Sequence, residues 1–258
     1  MITSTELVHL EKERGVATLT LDSPQNRNAL SAQLRSELWE RLQEALNDDA
    51  VRVIVLTHTG PVFCAGADLK EARQPGGQKG STDDFLAVLD ALWQSGKPVV
   101  ARLSGPARAG GLGLMAACDF AVATDSTTFA FTEVRIGVVP AVISVPLQAR
   151  VIPHALHRYF LTGETFDARR AVEIGLLTAA VSGENLDAEV RRLTDDLILG
   201  APGALARTKE LLHASAPSLL ESLKTMQAVS KAYFSSSEGQ EGVRAFSEKR
   251  TPSWIPAG

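Results

Sequence analysis

The segment Gly110-Gly111-Leu112-Gly113 decides what fold and chemistry we expect of this 258-residue chain. It follows the apolar, strand-like run Pro98–Leu103 and opens a short helix that we predict from about Gly110 to Ala117. Unpaired N–H groups and the positive end of the helix dipole lie at such a helix start, where they stabilise a negatively charged oxygen. Glu133 follows downstream and could move a proton. The pattern therefore predicts an enzyme that stabilises an enolate.

The composition is typical of one large domain, because 45% of the residues are hydrophobic and the formal net charge is only −4. No basic stripe appears, so no nucleic-acid partner is expected. Cys64 and Cys118 lie in apolar runs, which argues against a disulfide framework and favours the cytoplasm. Neither a signal peptide nor a membrane span is predicted. His154 and His157 have no third ligand beside them, so no metal site is predicted.

The first half of the chain repeats one unit, which is an apolar strand, a loop of small residues and a helix. One predicted helix begins at the cap Ser31 and ends near Leu46, with leucines along one face. Binding sites of α/β folds gather where such strands end. The predicted strands are Gly15–Leu21 paired with Glu6–Glu11, then Val51–Thr57, Pro98–Leu103, Phe120–Thr124 and Thr128–Phe131.

After Pro140 the sequence becomes helical. Asp167 and Pro202 are helix-start signals, while Gly175 and Gly200 are stop signals. The Gly/Gln-rich segment Arg73–Gly80 is predicted to be mobile. The predicted helices are Asp83–Gln94, Ala141–Val151, His154–Leu161, Asp167–Ile174, Leu186–Leu199, Pro202–Ala214, Leu219–Phe234 and Gln240–Lys249.

Two loops of small residues each follow an apolar strand. One is Phe63-Cys64-Ala65-Gly66-Ala67-Asp68-Leu69-Lys70, and the other is Ser104-Gly105-Pro106-Ala107-Arg108-Ala109-Gly110-Gly111. Small residues let a ligand approach the backbone closely, so the loops together suggest two N–H donors that meet at one oxygen. The alternative is an ordinary tight turn before a helix, with Asp68 as its cap.

These loops resemble those of the crotonase, or enoyl-CoA hydratase/isomerase, superfamily. The resemblance extends from Asn26-Arg27-Asn28-Ala29-Leu30, through Ala117-Cys118-Asp119 and Leu161-Thr162-Gly163-Glu164, to the run from Glu241 to Arg250. It implies an α/β fold, a crotonase-like spiral of repeated β-β-α units with a helical C-terminal region. Residues 1–195 would form the core with the acyl-CoA site. Residues 196–258 would form the trimer contacts and cover the CoA.

By this resemblance, the N–H groups of Ala67 and Gly110 bind the thioester oxygen of an acyl-CoA. The adenine of CoA would lie against the loop of Ala65 and Lys70. Arg27 and Lys249 are candidates for the CoA phosphates, although each could be a solvated surface charge. The other predicted substrate-binding residues are Ala29, Asp68, Gly111, Gly113 and Ile143.

Hydratases of this family use two glutamates, and only one of them has a counterpart here. The second glutamate matches Glu133, whose alternative role is an ion pair with Arg135. The first matches Gly113, which has no side chain. A run of bulky residues, Ala141-Val142-Ile143-Ser144-Val145-Pro146, replaces a Gly-rich stretch of many hydratases and would narrow the acyl pocket. Ser144 could orient a water or bond its own helix backbone.

Three functions are compatible with the sequence. The leading hypothesis is an enoyl-CoA hydratase of fatty acid metabolism, in which Glu133 serves as base and acid in turn. A 3-enoyl-CoA to 2-enoyl-CoA isomerase needs only one base and is the second. An acyl-CoA-binding protein with little catalysis is the third. The resemblance also implies a homotrimer or a dimer of trimers and no cofactor besides the CoA of the substrate.

Overall fold

The structure is a computed structural model that describes residues 6–72, 82–213 and 218–255. Its main element is a six-stranded sheet of order β1-β2-β3-β4-β6-β9. β1 is antiparallel to β2, and the other neighbours are parallel. The strands of this sheet are β1 (Val8–Glu13), β2 (Val16–Leu21), β3 (Val53–His58), β4 (Val99–Leu103), β6 (Phe120–Thr124) and β9 (Ala179–Val181).

A smaller sheet lies beside the first. It consists of β5 (Ala107–Arg108), β7 (Thr128–Ala130) and β8 (Phe166–Asp167) in the order β5-β7-β8. β5 runs parallel to β7, and β8 runs antiparallel to it. Its first strand, β5, leads directly into the glycine-rich helix Gly110–Ala117.

Eleven α-helices are described within residues 6–72, 82–213 and 218–255. A short 3₁₀ helix, Glu133–Ile136, lies between β7 and the fifth of them. The α-helices are α1 (Ala32–Asn47), α2 (Leu69–Ala72), α3 (Thr82–Gln94), α4 (Gly110–Ala117), α5 (Ala141–Gln148), α6 (Pro153–Thr162), α7 (Ala168–Glu173), α8 (Leu186–Leu199), α9 (Pro202–His213), α10 (Leu219–Ser235) and α11 (Ser237–Glu248).

Helix α1 forms as the sequence predicts. The Ser31 hydroxyl accepts a hydrogen bond from Leu34 N–H at 3.3 Å and caps the first turn. Leu34, Leu38 and Leu42 are buried on one face and belong to the main core. The fourth leucine of the predicted face, Leu46, is only partly buried against that core.

The central strand β3 is buried along its whole length because helices cover both faces of the sheet. Ile54 and Leu56 pack into the main core together with α1, α3 and α4. Val53 and Val55 point the other way and pack against residues of α8. The sheet is therefore a middle layer, and its strand ends are held rigidly where the two loops begin.

The structure differs from the prediction mainly in short elements. β5, β8 and β9 were not predicted because strands of two or three residues show no alternation. The predicted helix Ala141–Val151 ends at Gln148, and the predicted strand ending at Phe131 ends at Ala130. The predicted mobile segment Arg73–Gly80 lies outside the described residues. The division at residue 195 stays a prediction.

No helix of the described residues is both long and apolar enough to cross a membrane. Cys64 and Cys118 are buried free thiols, and burial raises the pKa of each to about 12. Among the same described residues, no group of three histidines, cysteines or carboxylates is arranged to hold a metal ion.

Candidate active site

A cavity of about 630 Å³ lies where the loops after β3 and β4 meet the 3₁₀ helix, α5 and the C-terminal helices. A cleft of this size accommodates a small organic ligand. Most of the predicted site residues that line it come from these loops. They are Arg27, Ala65, Ala67, Asp68, Gly110, Glu133 and Ile143.

The remaining predicted residues do not line this cavity. Ala29, Gly111 and Gly113 are buried behind its wall. Lys70 and Lys249 are exposed, and Lys249 is the left-handed C-cap of α11, with φ 54°. Their proposed roles in substrate binding stay predictions.

Hydrogen bonds between loop backbones hold the two predicted N–H donors in place. Leu30 N–H donates to Gly66 O at 2.8 Å, and Ala65 N–H donates to Arg27 O at 3.0 Å. Neither Ala67 N–H nor Gly110 N–H has an acceptor within the described parts of the chain. Gly110 is the first residue of α4, where helix geometry supplies no partner. Both donors are therefore free for a ligand.

The two loops touch directly beside these donors, at Gly66 and Ala109. A Cβ atom on Gly66 would lie 2.7 Å from the Cβ of Ala109 and 3.3 Å from Gly110 N. Gly66 has φ +89°, a conformation that suits glycine. Ala109 has φ 45° and ψ −117°, a strained conformation for a residue with a side chain. Strain of this kind gathers at functional sites, and no pattern in the sequence indicated it.

Glu133 faces the same cavity from the first position of the 3₁₀ helix. It is only 9% exposed, and burial raises the pKa of its carboxyl from 4.5 to about 7. Its Oε2 has no hydrogen-bond partner among the described residues. The alternative ion pair with Arg135 does not occur among the described side chains. A buried carboxyl with one oxygen free of partners is suited to proton transfer near neutral pH.

Helix α11 supports the 3₁₀ helix by close backbone contact. A Cβ on Gly242 would lie 2.2 Å from Ile136 O, and one on Gly137 would lie 2.4 Å from Glu238 O. Glu241 fixes this end of the chain, since it pairs with Arg250 at 2.7 Å and accepts from Ser253 N–H at 3.0 Å. Gly242 in α11 and Gly137 at the end of the 3₁₀ helix therefore determine where Glu133 lies.

Several cations line the cavity that sequence reasoning did not select. Arg250 lines it in place of its neighbour Lys249, and Arg108 and Lys231 do so as well. Arg108 is held by Thr128, whose carbonyl and hydroxyl both accept from its guanidinium. For Lys231 and Arg250, position in the sequence offered no signal, because the folded C-terminal helices bring them to the cavity.

Arg35 is a further buried cation at the cavity wall. Its Nη1 donates to Leu30 O, and its Nη2 lies 3.9 Å from Glu71 Oε2. Burial lowers the pKa of the guanidinium. Glu71 also accepts from Ala32 N–H at 2.8 Å, so the pair connects the start of α1 to α2.

Two polar residues take the structural role that the sequence offered as an alternative. Asp68 Oδ1 accepts from Lys70 N–H at 2.9 Å, which is the geometry of a helix cap. Ser144 Oγ donates to Ala141 O at 2.7 Å, a bond to the backbone of its own helix. Ser144 is therefore engaged within α5.

Comparisons with known proteins identify the family of this chain. The family model described as enoyl-CoA hydratase/isomerase matches residues 11–256. A solved structure of an enoyl-CoA hydratase from Mycobacterium avium is 44% identical with a TM-score of 0.85, covering 98% of this chain and 100% of its own. The carnitinyl-CoA dehydratase of Proteus mirabilis is 32% identical, over 96% of this chain and 97% of its own. The mitochondrial enoyl-CoA hydratase domain-containing protein 3 of Xenopus laevis is 34% identical over 97% and 86%.

The fold and the site thus define a crotonase-fold protein, as the resemblance of the sequence predicted. This chain belongs to the enoyl-CoA hydratase/isomerase family. The members named above include a hydratase and a dehydratase, so membership alone leaves the reaction of this chain open.

Proposed function

We propose that this protein is an enoyl-CoA hydratase that adds water across the 2,3 double bond of an enoyl-CoA thioester. One observation carries the proposal. The Glu133 carboxyl, whose Oε2 has no partner among the described residues and whose pKa is about 7, faces the same cavity as the free N–H groups of Ala67 and Gly110. The cations Arg27, Lys231 and Arg250 at this cavity would attract the phosphates of CoA.

The thioester oxygen accepts hydrogen bonds from Ala67 N–H and Gly110 N–H in this proposal. Attack of water at C3 moves an electron pair onto that oxygen and forms an enolate. Donors that are already in place stabilise the developing charge at no cost of reorganisation. Each donor of this kind contributes roughly 2.7–4 kcal/mol to the transition state.

Glu133 handles both protons of the addition. As a carboxylate it takes a proton from the attacking water, whose oxygen forms the bond to C3. As a carboxylic acid it then returns one proton to C2, and the enolate collapses to the thioester. No net proton is gained or lost. A pKa of about 7 suits this double duty, because both forms of the carboxyl are accessible near neutral pH.

Product analysis in labelled water tests the proposed reaction. A panel of enoyl-CoA esters, from short to branched to bulky, is incubated with the protein in H₂¹⁸O. We expect loss of the conjugated thioester absorbance and a 3-hydroxyacyl-CoA that carries one ¹⁸O. If the double bond moves and no oxygen is incorporated, the reaction is isomerisation and not hydration. If the protein binds the whole panel tightly and converts none of it, the protein is an acyl-CoA-binding protein and not an enzyme of this reaction.

The isomerase is the second candidate, and one observation favours it. A Cβ at Gly113 would lie 2.8 Å from the Cγ2 of Ile143, so hydrocarbon occupies the place of a second carboxyl. Moving the double bond from the 3,4 to the 2,3 position transfers one proton from C2 to C4, which needs only one base beside the N–H donors. A 3-enoyl-CoA substrate separates the two reactions, because an isomerase converts it to a conjugated 2-enoyl-CoA without adding a hydroxyl group.

We also infer that the protein assembles as a homotrimer or a dimer of trimers. Leu199, Leu211 and Leu212 expose 86%, 63% and 76% of their surface on α8 and α9, and this apolar area is available for contacts between subunits. On α10, Leu219 and Leu223 belong to the core of this chain and are not available for subunit contacts. Light scattering coupled to size-exclusion chromatography measures the subunit number.

A further inference from the structure

We propose that Gly113 and Ile143 form one packing unit that sets the shape of the acyl pocket. Ile143 fills the volume that a side chain at position 113 would need, and it also lines the cavity. A larger residue at one position therefore requires a smaller one at the other. The substrate part of this inference rests on the proposed acyl-CoA function, whereas the packing part does not.

The geometry at the α4–α5 contact is tight. A Cβ on Gly113 would lie 2.8 Å from Ile143 Cγ2 and 3.4 Å from Ile143 Cβ. The Cγ2 methyl cannot swing aside easily, because a β-branched side chain in a helix has one strongly preferred χ1 rotamer. Gly113 is buried in the middle of α4, and Ile143 is only 4% exposed on α5. The two helices therefore meet through this pair.

A neighbouring glycine of the same helix has a different kind of obstacle. A Cβ on Gly111 would lie 2.7 Å from the carbonyl oxygen of Cys64 and 2.7 Å from its Cβ. A backbone oxygen cannot be trimmed by mutation, whereas the obstacle at Gly113 is a side chain. Only at Gly113 does a substitution on the other helix make room, so Gly111 is the matched control.

The consequence for the ligand is a hydrocarbon surface on this side of the cavity. Ile143 lines it together with Val139 and Val142, and Glu133 faces the same space. No side chain reaches the ligand from position 113. The acyl group would thus meet an aliphatic wall whose depth Ile143 sets. One methylene in such a pocket is worth roughly 10- to 200-fold in discrimination.

A double-mutant cycle tests the packing. Gly113→Ala, Ile143→Ala and the double variant are compared by urea unfolding. We expect the double variant to be more stable than the sum of the single effects predicts, by at least about fivefold in the unfolding equilibrium constant, as found for residues in contact. Gly111→Ala combined with Ile143→Ala should be additive. An additive 113/143 cycle would overturn the inference.

Binding of saturated acyl-CoA esters tests the substrate part without any turnover. Calorimetry compares butyryl-CoA with a ring-bearing ester such as cyclohexanecarbonyl-CoA. We expect Ile143→Ala to shift the preference toward the ring by about 10-fold or more, and Gly113→Ala in the same chain to take back part of that shift. An unchanged preference would overturn the substrate part. Absence of binding of any ester to the wild type would overturn the proposed function instead, and the unfolding cycle would still decide the packing.

Discussion

The two walls of the cavity are built from different parts of the polypeptide. The backbone wall, which consists of Ala67, Ala109 and Gly110 with Gly66 packed against Ala109, offers main-chain N–H groups. The side-chain wall, which consists of Glu133, Val139 and Ile143, offers one carboxyl and aliphatic carbon. The positions of the N–H donors in the backbone wall depend on the path of the main chain and not on which side chains it carries.

This difference teaches how one fold can support several reactions. A pair of N–H donors stabilises any enolate of a thioester, so the backbone wall serves hydration, dehydration and isomerisation equally well. The side-chain wall decides which proton moves and which acyl group fits. Single substitutions can change the second wall, whereas the first is changed only by moving the backbone.

Removing the carboxyl from the side-chain wall should have the largest effect. Glu133→Gln keeps the shape and loses the acid–base group, so we expect turnover to fall about 10²–10⁴-fold. Binding of a saturated acyl-CoA should persist. Steady-state kinetics and calorimetry measure the two quantities. Glu238→Gln, an exposed residue of α11, is the control. Near-normal turnover of Glu133→Gln would remove Glu133 from the mechanism.

Gly66→Ala disturbs the backbone wall without removing any N–H group. The new Cβ would collide with Ala109 in a conformation that disfavours side chains, and the adjacent donor Ala67 should move. We expect turnover to fall roughly 10²–10³-fold, the effect of losing one such donor. Gly203→Ala is the control, since no described atom lies within 4 Å of its new Cβ. Equal kinetics of the two variants would contradict the role of the backbone wall.

Glu133 should also make stability depend on pH. Its pKa is about 7 in the folded chain and 4.5 in the unfolded chain, so the folded state retains the proton longer. Stability is complete below pH 4.5 and falls as the pH rises to 7, by about 3 kcal/mol in total.

Urea unfolding of the wild type and Glu133→Gln at pH 4.5 and pH 8.5 measures this difference. We expect the stability of the variant relative to the wild type to increase by that amount between the two pH values, because glutamine does not titrate. A constant difference would mean that the carboxyl ionises in the folded chain as it does in the unfolded chain.

Gly242→Ala should displace part of the side-chain wall through the contact between α11 and the 3₁₀ helix. Its Cβ would lie 2.2 Å from Ile136 O, so the 3₁₀ helix must shift and carry Glu133 with it. A displacement of a catalytic group by about 1 Å can cost up to 10²-fold, and we expect at least about a tenfold loss of kcat with a smaller change in KM. A parallel loss of binding and turnover would indicate general unfolding instead.

Ala109→Gly should have the smallest effect and the opposite sign. Glycine adopts the φ of 45° and ψ of −117° at this position without strain. Relief of the strain should stabilise the fold by about 1 kcal/mol after the greater chain entropy of glycine is subtracted. Chemical unfolding measures the gain. A destabilised variant would show that Ala109 contributes more by packing on Gly66 than it costs in conformation.

Local signals were sufficient for much of the fold. Ser31 and the leucine spacing of α1 predicted both its start and its buried face. The two loops were predicted because apolar strands precede them and small residues fill them. β8 and β9 were missed, since two or three residues leave no periodic pattern and their pairing partners are distant in sequence.

The sequence predicted residues of the candidate site only where the residue lies in a recognisable local motif. Glu133, Ala67 and Gly110 line one cavity, and their roles stay predictions. Arg250 was missed in favour of Lys249, because the left-handed turn at the end of α11 determines which of the two faces the cavity. The contact between Gly113 and Ile143 depends on how two helices cross, which no local pattern encodes.

The hydrogen bonds between loop backbones have a consequence for amide exchange with solvent. The N–H groups of Leu30, Ala65 and Arg108 are bonded across the loops at 2.8–3.0 Å, so they should exchange slowly with deuterium, as those of the central strands do. The N–H groups of Ala67 and Gly110 lie in the same rigid segments and have no acceptor there. The loops should therefore be fixed in position yet contain two fast-exchanging amides, and a bound thioester should slow only those two.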